Sequence, residues 1–136
     1  MVQSEIRVRY QETDQMSVVY HGNYFTWFEI GRTDYIRQAG FPYQRLEQEG
    51  ILIPVVEVQC RYIAPARYDD EIIIETTLEE LASSKVVFSY LVKRKEDQAR
   101  LATGMSKHLF TDRQMKRINL KRRLPEVYDR LQKGGL

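Results

Sequence analysis

Asp14 stands in a short polar loop, Glu12 to Ser17, just ahead of a stretch that reads as a helix, with His21 close to the helix start. A helix start leaves its first backbone N–H groups unpaired and carries the positive end of the helix dipole. A carboxylate beside such donors can attack an electrophilic carbonyl directly or activate a water, while the N–H groups stabilise the oxyanion as it forms. The same acid could instead cap the helix, since Asp is among the preferred capping residues. His21 also has two readings: a proton donor or ligand-orienting hydrogen bonder, or a structural imidazole at a helix start.

Other chemistries lack their residues. His21, His108 and Cys60 are scattered without the spacing of a zinc site, so no metal is expected. No Gly-x-Ser-x-Gly elbow is present, and Cys60 falls in the middle of a strand-like run, which leaves a Ser or Cys nucleophile without its setting. A phosphate-cradling Gly-x-x-x-x-Gly-Lys loop is also missing.

The element that must position Asp14 and His21 is the aromatic stretch that follows. On a 3.6-residue period Tyr24, Trp27, Phe28, Gly31, Tyr35 and Ala39 form one stripe flanked by Phe25 and Ile36, while Thr26, Glu29, Thr33 and Arg37 share the opposite face. Asn23 or His21 suits its start, and Gly40 followed by Pro42 suits its end. Gly31 sits in the apolar stripe although glycine weakens a helix, which predicts a close approach of helix and sheet there.

Ser4 to Tyr10 alternates as a half-buried strand, with Ile6, Val8 and Tyr10 on one side. Pro42 to Gly50 suits a short helical turn. Four strand-like segments follow, Leu52 to Ile63, Asp70 to Leu81, Lys85 to Lys95 and Ala99 to Thr111, joined by short turns that fit hairpins in all but the first connection. This order predicts an α+β domain in which one antiparallel sheet of about five strands buries one long, bulky helix. Its open edges predict homodimerisation by sheet extension.

With 136 residues and 43% hydrophobic content, the chain reads as one domain over 1–136, ending in a basic segment and a C-terminal helix at about 112–136. The net charge of +2 argues against a dedicated polyanion binder. Arg113, Lys116, Arg117, Lys121, Arg122 and Arg123 form either a solvated linker or a phosphate-facing patch, and no nucleic-acid motif accompanies them. The first residues lack the apolar core of a signal peptide, Cys60 is the only cysteine, and no run is long and apolar enough to cross a bilayer. A reducing, cytoplasmic location without membrane insertion is expected.

The run Tyr10-x-x-Thr13-Asp14, Val18 to Tyr24 and Phe28-Glu29-x-x-Arg32, together with Tyr62 to Asp70, resembles the 4-hydroxybenzoyl-CoA thioesterase family of hotdog-fold acyl-CoA thioesterases. The resemblance covers Ser4 to about Thr111. It implies a hotdog fold and hydrolysis of an acyl-CoA thioester, with coenzyme A as part of the substrate and no cofactor. It also implies Asp14 as the catalytic carboxylate, the backbone N–H at His21 as the group that polarises the thioester, and Tyr20, Asn23 and Tyr24 as pocket residues. The family builds its sites at a dimer interface, so a homodimer or a dimer of dimers is implied. Many members place Pro or Gly where this chain has Gln15, Met16 and Ser17, which leaves direct attack and water activation both open. The alternatives are a non-catalytic acyl-group or protein-binding hotdog module, or a hotdog dehydratase or hydratase. The last is disfavoured because Glu29 falls on the polar side of the helix. Which of Tyr20, Tyr24, Phe25, Phe28 and Tyr62 point into the acyl pocket is not decided by spacing.

Overall fold

A computed structural model describes residues 1–41 and 43–134 of the chain, so the proline step expected after the long helix and the last two residues of the tail lie outside the described residues. The strands are β1 (Val2–Arg7), β2 (Val55–Tyr62), β3 (Glu71–Ala82), β4 (Lys85–Arg94) and β5 (Arg100–Leu109). They form one five-stranded antiparallel sheet in the order β1-β3-β4-β5-β2. The first connection of the strand run is the exception the turn chemistry suggested. β2 leaves its sequence neighbour β3 and pairs with β5 at the far edge, with Cys60 opposite Gly104 and Tyr62 opposite Ala102. β1 is shorter than its alternation suggested, and Tyr10 is 76% exposed in a 3-10 turn at Tyr10–Glu12 rather than on the buried side.

Helix α1 (Asn23–Gln38) lays its aromatic stripe on one face of this sheet. Trp27 and Phe28 are fully buried, Tyr24, Gly31, Tyr35 and Ala39 are buried with them, and Ile36 belongs to the covered stripe rather than its margin. Phe28 stacks flat on Tyr90 of β4 with ring centroids 4.3 Å apart. Two glycines make this approach possible. A Cβ on Gly31 would meet Thr76 Oγ1 and come within 3.0 Å of Ile74 Cγ2, and a Cβ on Gly104 would run into the Phe28 ring. The inward residues of β3 are Ile72, Ile74 and Thr76, all fully buried. The opposite face of β3 is only partly wet, since Ile73 is buried there and Glu75 pairs with Lys93 at 2.9 Å.

The expected turn after α1 is helix α2 (Tyr43–Gln48), closed by Gly50 at a φ of +78°. The basic segment is more than a linker. It contains the single turn α3 (Leu120–Arg123), capped by the Asn119 side chain, and leads into α4 (Pro125–Gln132), which buries Val127, Tyr128 and Leu131. The Arg113 guanidinium donates to the carbonyls of Glu47, which also accepts the Gly50 N–H at 2.9 Å, and Gln48, and that of Arg123 to Glu49 just beyond, so two of the six cations close the C-terminal end of α2. No helix among the described residues is long and apolar enough to cross a membrane.

Candidate active site

Asp14 lies in a tight turn, not on the helix. The chain reverses between Thr13 and Val19, which form a bridge; Asp14 N–H donates to Val18 O at 2.9 Å and Ser17 N–H to Asp14 O at 3.0 Å. Asp14 Oδ1 accepts the Met16 N–H at 2.8 Å, while Oδ2 has no partner among the described residues. The capping reading of Asp14 therefore gives way: the N-cap of α1 is Gly22, with no side-chain cap, and Asp14 braces its own turn. Ser17 takes a φ of +64°, the left-handed region that favours glycine, so this chain makes the turn with a residue poorly suited to it.

The turn is fastened on both sides. Val19 N–H donates to Ala66 O at 2.9 Å, and the carbonyl of Glu12 accepts both Tyr20 N–H at 2.9 Å and the Asn23 side-chain amide at 2.8 Å. The Glu12 carboxylate is buried, taking Arg9 N–H at 2.8 Å on one oxygen and the Trp27 indole N–H at 3.1 Å on the other. Buried carboxylates persist where both oxygens are satisfied, and here the two donors come from opposite ends of the segment that carries Asp14.

At the helix start Asn23 N–H returns to Tyr20 O, and Tyr24 N–H makes a long 3.3 Å contact with His21 O. Among the described residues the N–H groups of His21 and Gly22 have no partner. His21 shares a cleft of about 300 Å³ with Asp14, lined by Asp14, Met16, Val18, Val19, His21 and Tyr24 on one side and by Tyr62, Ile63, Ala64 and Pro65 on the other, and Gly22 follows it in the chain. Tyr62 donates its hydroxyl to His21 O at 2.8 Å and stands edge-on to Tyr24, with centroids 5.0 Å apart. Burial pushes the Tyr24 phenol up, and it remains protonated.

The structure thus brings Asp14, His21 and Tyr24 to one cleft and leaves Tyr20 and Asn23 off its lining. Asn23 spends its amide on Glu12 O, and the Tyr20 ring, half-exposed, leans on the His21 ring at 4.4 Å and over Gly22. Phe28 is core, and Phe25 is exposed near the margin of α1. Sequence reasoning missed Glu12 and left Tyr62 unranked; an acid two places before the candidate acid, matched to a tryptophan on the next helix, was the available signal. Glu29 lines a separate surface groove with Thr26, Thr33 and Arg37, away from His21. Among the described residues no group of three or more His, Cys, Asp or Glu is arranged to hold a metal ion.

Residues 8–133 match the family model of the thioesterase-like superfamily. The chain is similar to a DHNA-CoA thioesterase from Staphylococcus aureus, 34% identical with a TM-score of 0.92, the match covering 96% of this chain and 88% of that one. It is 34% identical over 92 residues to the acyl-CoA thioester hydrolase YbgC of Escherichia coli, covering 68% of this chain and 69% of that protein. A 4-hydroxybenzoyl-CoA thioesterase from a Pseudomonas species is 28% identical over 91 residues, 65% of this chain and 64% of that protein. With its antiparallel sheet and packed helix in the arrangement of these hotdog structures, the chain belongs to the thioesterase-like superfamily.

Proposed function

We propose that this protein hydrolyses an acyl-CoA thioester to the free acid and coenzyme A. The observation that carries the reading is the shared cleft, which is lined both by Asp14, a carboxylate with one free oxygen, and by His21, whose backbone N–H is unpartnered among the described residues. In the reaction a water oxygen bonds to the thioester carbon, the C–S bond breaks, and the thiol leaves with a proton. Asp14 acts either as nucleophile, through a mixed anhydride that water then opens, or as the general base that takes the proton from water. The His21 N–H polarises the carbonyl and steadies the oxyanion. His21, Tyr20, Asn23 and Tyr24 frame this end of the site, with Tyr20 and Asn23 acting through the shape of the loop. α1 serves as the central helix of the hotdog, carrying the oxyanion donors at its start.

The acyl-CoA substrate is drawn from the activities named for the relatives and from the aromatic walls of the cleft. The test is thiol release from a panel running from acetyl- through benzoyl- to palmitoyl-CoA. Release from at least one above the uncatalysed rate is expected, and its absence across the panel would refute the activity.

The site belongs to a homodimer or a dimer of dimers. β2 is a sheet edge on which Val55, Val56, Val58 and Tyr62 are all exposed, and such an apolar edge invites pairing with a second copy. Pairing there would put the Tyr62 side of the cleft at the subunit boundary. Sedimentation at micromolar concentration should give at least twice the 16.2 kDa chain mass. A cytoplasmic setting suits a substrate of this kind and a chain with one free cysteine.

A further inference from the structure

Tyr62 reaches from the edge strand β2 across the cleft to the backbone of the helix start, a contact spanning 41 residues of sequence. Its hydroxyl donates to His21 O, the carbonyl of the peptide that joins His21 to Gly22. In a trans peptide the C=O and N–H point in opposite directions. With the carbonyl side held by Tyr62 at 2.8 Å and by Tyr24 N–H at 3.3 Å, the Gly22 N–H faces away from the helix body, where it has no partner among the described residues. A carbonyl that accepts a hydrogen bond also polarises its amide and strengthens the N–H on the far side. The aromatic ring is held as well, standing edge-on to His21 at 6.2 Å and to Tyr24 at 5.0 Å. This geometry does more than pack an edge residue: half of the Tyr62 surface is exposed, yet its one polar atom is committed to the peptide beside the candidate oxyanion donor.

We propose that Tyr62 is a positioning residue for thioester hydrolysis: its hydroxyl fixes the orientation of the His21–Gly22 peptide, so that the Gly22 N–H joins the His21 N–H as a second donor to the thioester oxygen. The inference rests on the hydrolase reading above. The Tyr62 hydroxyl reaches the reacting carbonyl only through this peptide, so its loss falls on the stability of the oxyanion, while the ring that lines the cleft stays in place and substrate affinity with it. Removing an oxyanion donor outright costs ~10²–10³ in turnover, and loosening one costs less.

Tyr62→Phe should lower kcat about tenfold while KM stays within about twofold. A second readout separates orientation from mere packing. In the Asp14→Asn background, which slows turnover, the carbonyl stretch of bound benzoyl-CoA labelled with ¹³C at the thioester carbon reports the strength of its donors by isotope-edited infrared difference spectroscopy. Adding Tyr62→Phe should move that band back towards its position in water, and 3,5-difluorotyrosine at position 62, a stronger donor of nearly the same shape, should move it further the other way. Unchanged kcat and an unmoved band in an otherwise active protein would overturn the role of Tyr62 alone. Failure of the wild-type protein to release thiol from any acyl-CoA would instead remove the hydrolase reading, and this role with it.

Discussion

Glu12 Oε2 accepts the indole N–H of Trp27 at 3.1 Å, tying the 3-10 turn before the candidate catalytic loop to the largest fully buried side chain of α1. The other oxygen takes Arg9 N–H, so both partners of the carboxylate are donors. A glutamine has one acceptor and one donor at its tip and satisfies only one of them. Glu12→Gln should therefore destabilise by about 1–3 kcal/mol, read from the urea midpoint at constant m-value. An unchanged midpoint would show that the indole N–H finds another acceptor.

Asp14→Asn is expected to lower kcat by at least about a hundredfold while leaving the fold intact. The amide oxygen of Asn can still accept the Met16 N–H that Oδ1 holds, so the turn survives, but the group neither attacks a carbonyl as a carboxylate nor takes a proton from water. Near-wild-type hydrolysis by the folded variant would reduce Asp14 to a brace for its own turn.

Gly31→Ala puts a methyl group against Thr76 Oγ1 and Ile74 Cγ2. Helix propensity favours the alanine by about 1 kcal/mol, yet overpacking a tight helix–sheet contact costs more. The thermal midpoint should fall by the equivalent of ~1–3 kcal/mol. A rise would mean that α1 has room to shift on the sheet.

His108 is fully buried in β5, its Nε2 2.7 Å from Ser106 Oγ and its Nδ1 3.3 Å from Ile53 O. Burial, helped by the Arg32 charge and opposed by the Ile53 carbonyl, pushes its pKa down from 6.5 to about 4. The unfolded chain binds this proton at a higher pH than the folded one. Stability should accordingly be insensitive to this group above about pH 7 and fall as pH drops from about 6.5 to 4, by an amount on the order of 3 kcal/mol. Comparing denaturation midpoints across that window with those of His108→Gln, which has no proton to gain there, isolates the contribution. Parallel pH profiles for the two proteins would contradict it.

The helix was the most legible part of the chain, because its period is local: the residues from Tyr24 to Ala39 declare their buried face without reference to anything else. The strands were legible as segments for the same reason. The pairing of β2 with β5 was not, since an alternating run shows which side is apolar but not which strand lies beside it. At the site, Asp14 and His21 stood out through residue type and resemblance, and the structure brings them to one cleft. The roles of Tyr62 and Glu12 depend on contacts across 41 and 15 residues, which no local pattern encodes. Arg113 and Arg123 misled for a related reason: as letters they are two members of a basic cluster, whereas in space their guanidiniums close the end of α2.

The far-edge position of β2 also sets a schedule for synthesis. Its partner in the sheet is β5, and the roughly forty residues between the end of one and the start of the other take a ribosome about 2–8 s to add. Throughout that interval β2 is a completed strand with nothing to bond to. Glu57 and Arg61, with the uncharged Gln59 between them, alternate with its apolar side chains and put charge on one face of the waiting segment. The strand that finds its partner last within the chain is thus open to another chain until the final strand of the sheet is made.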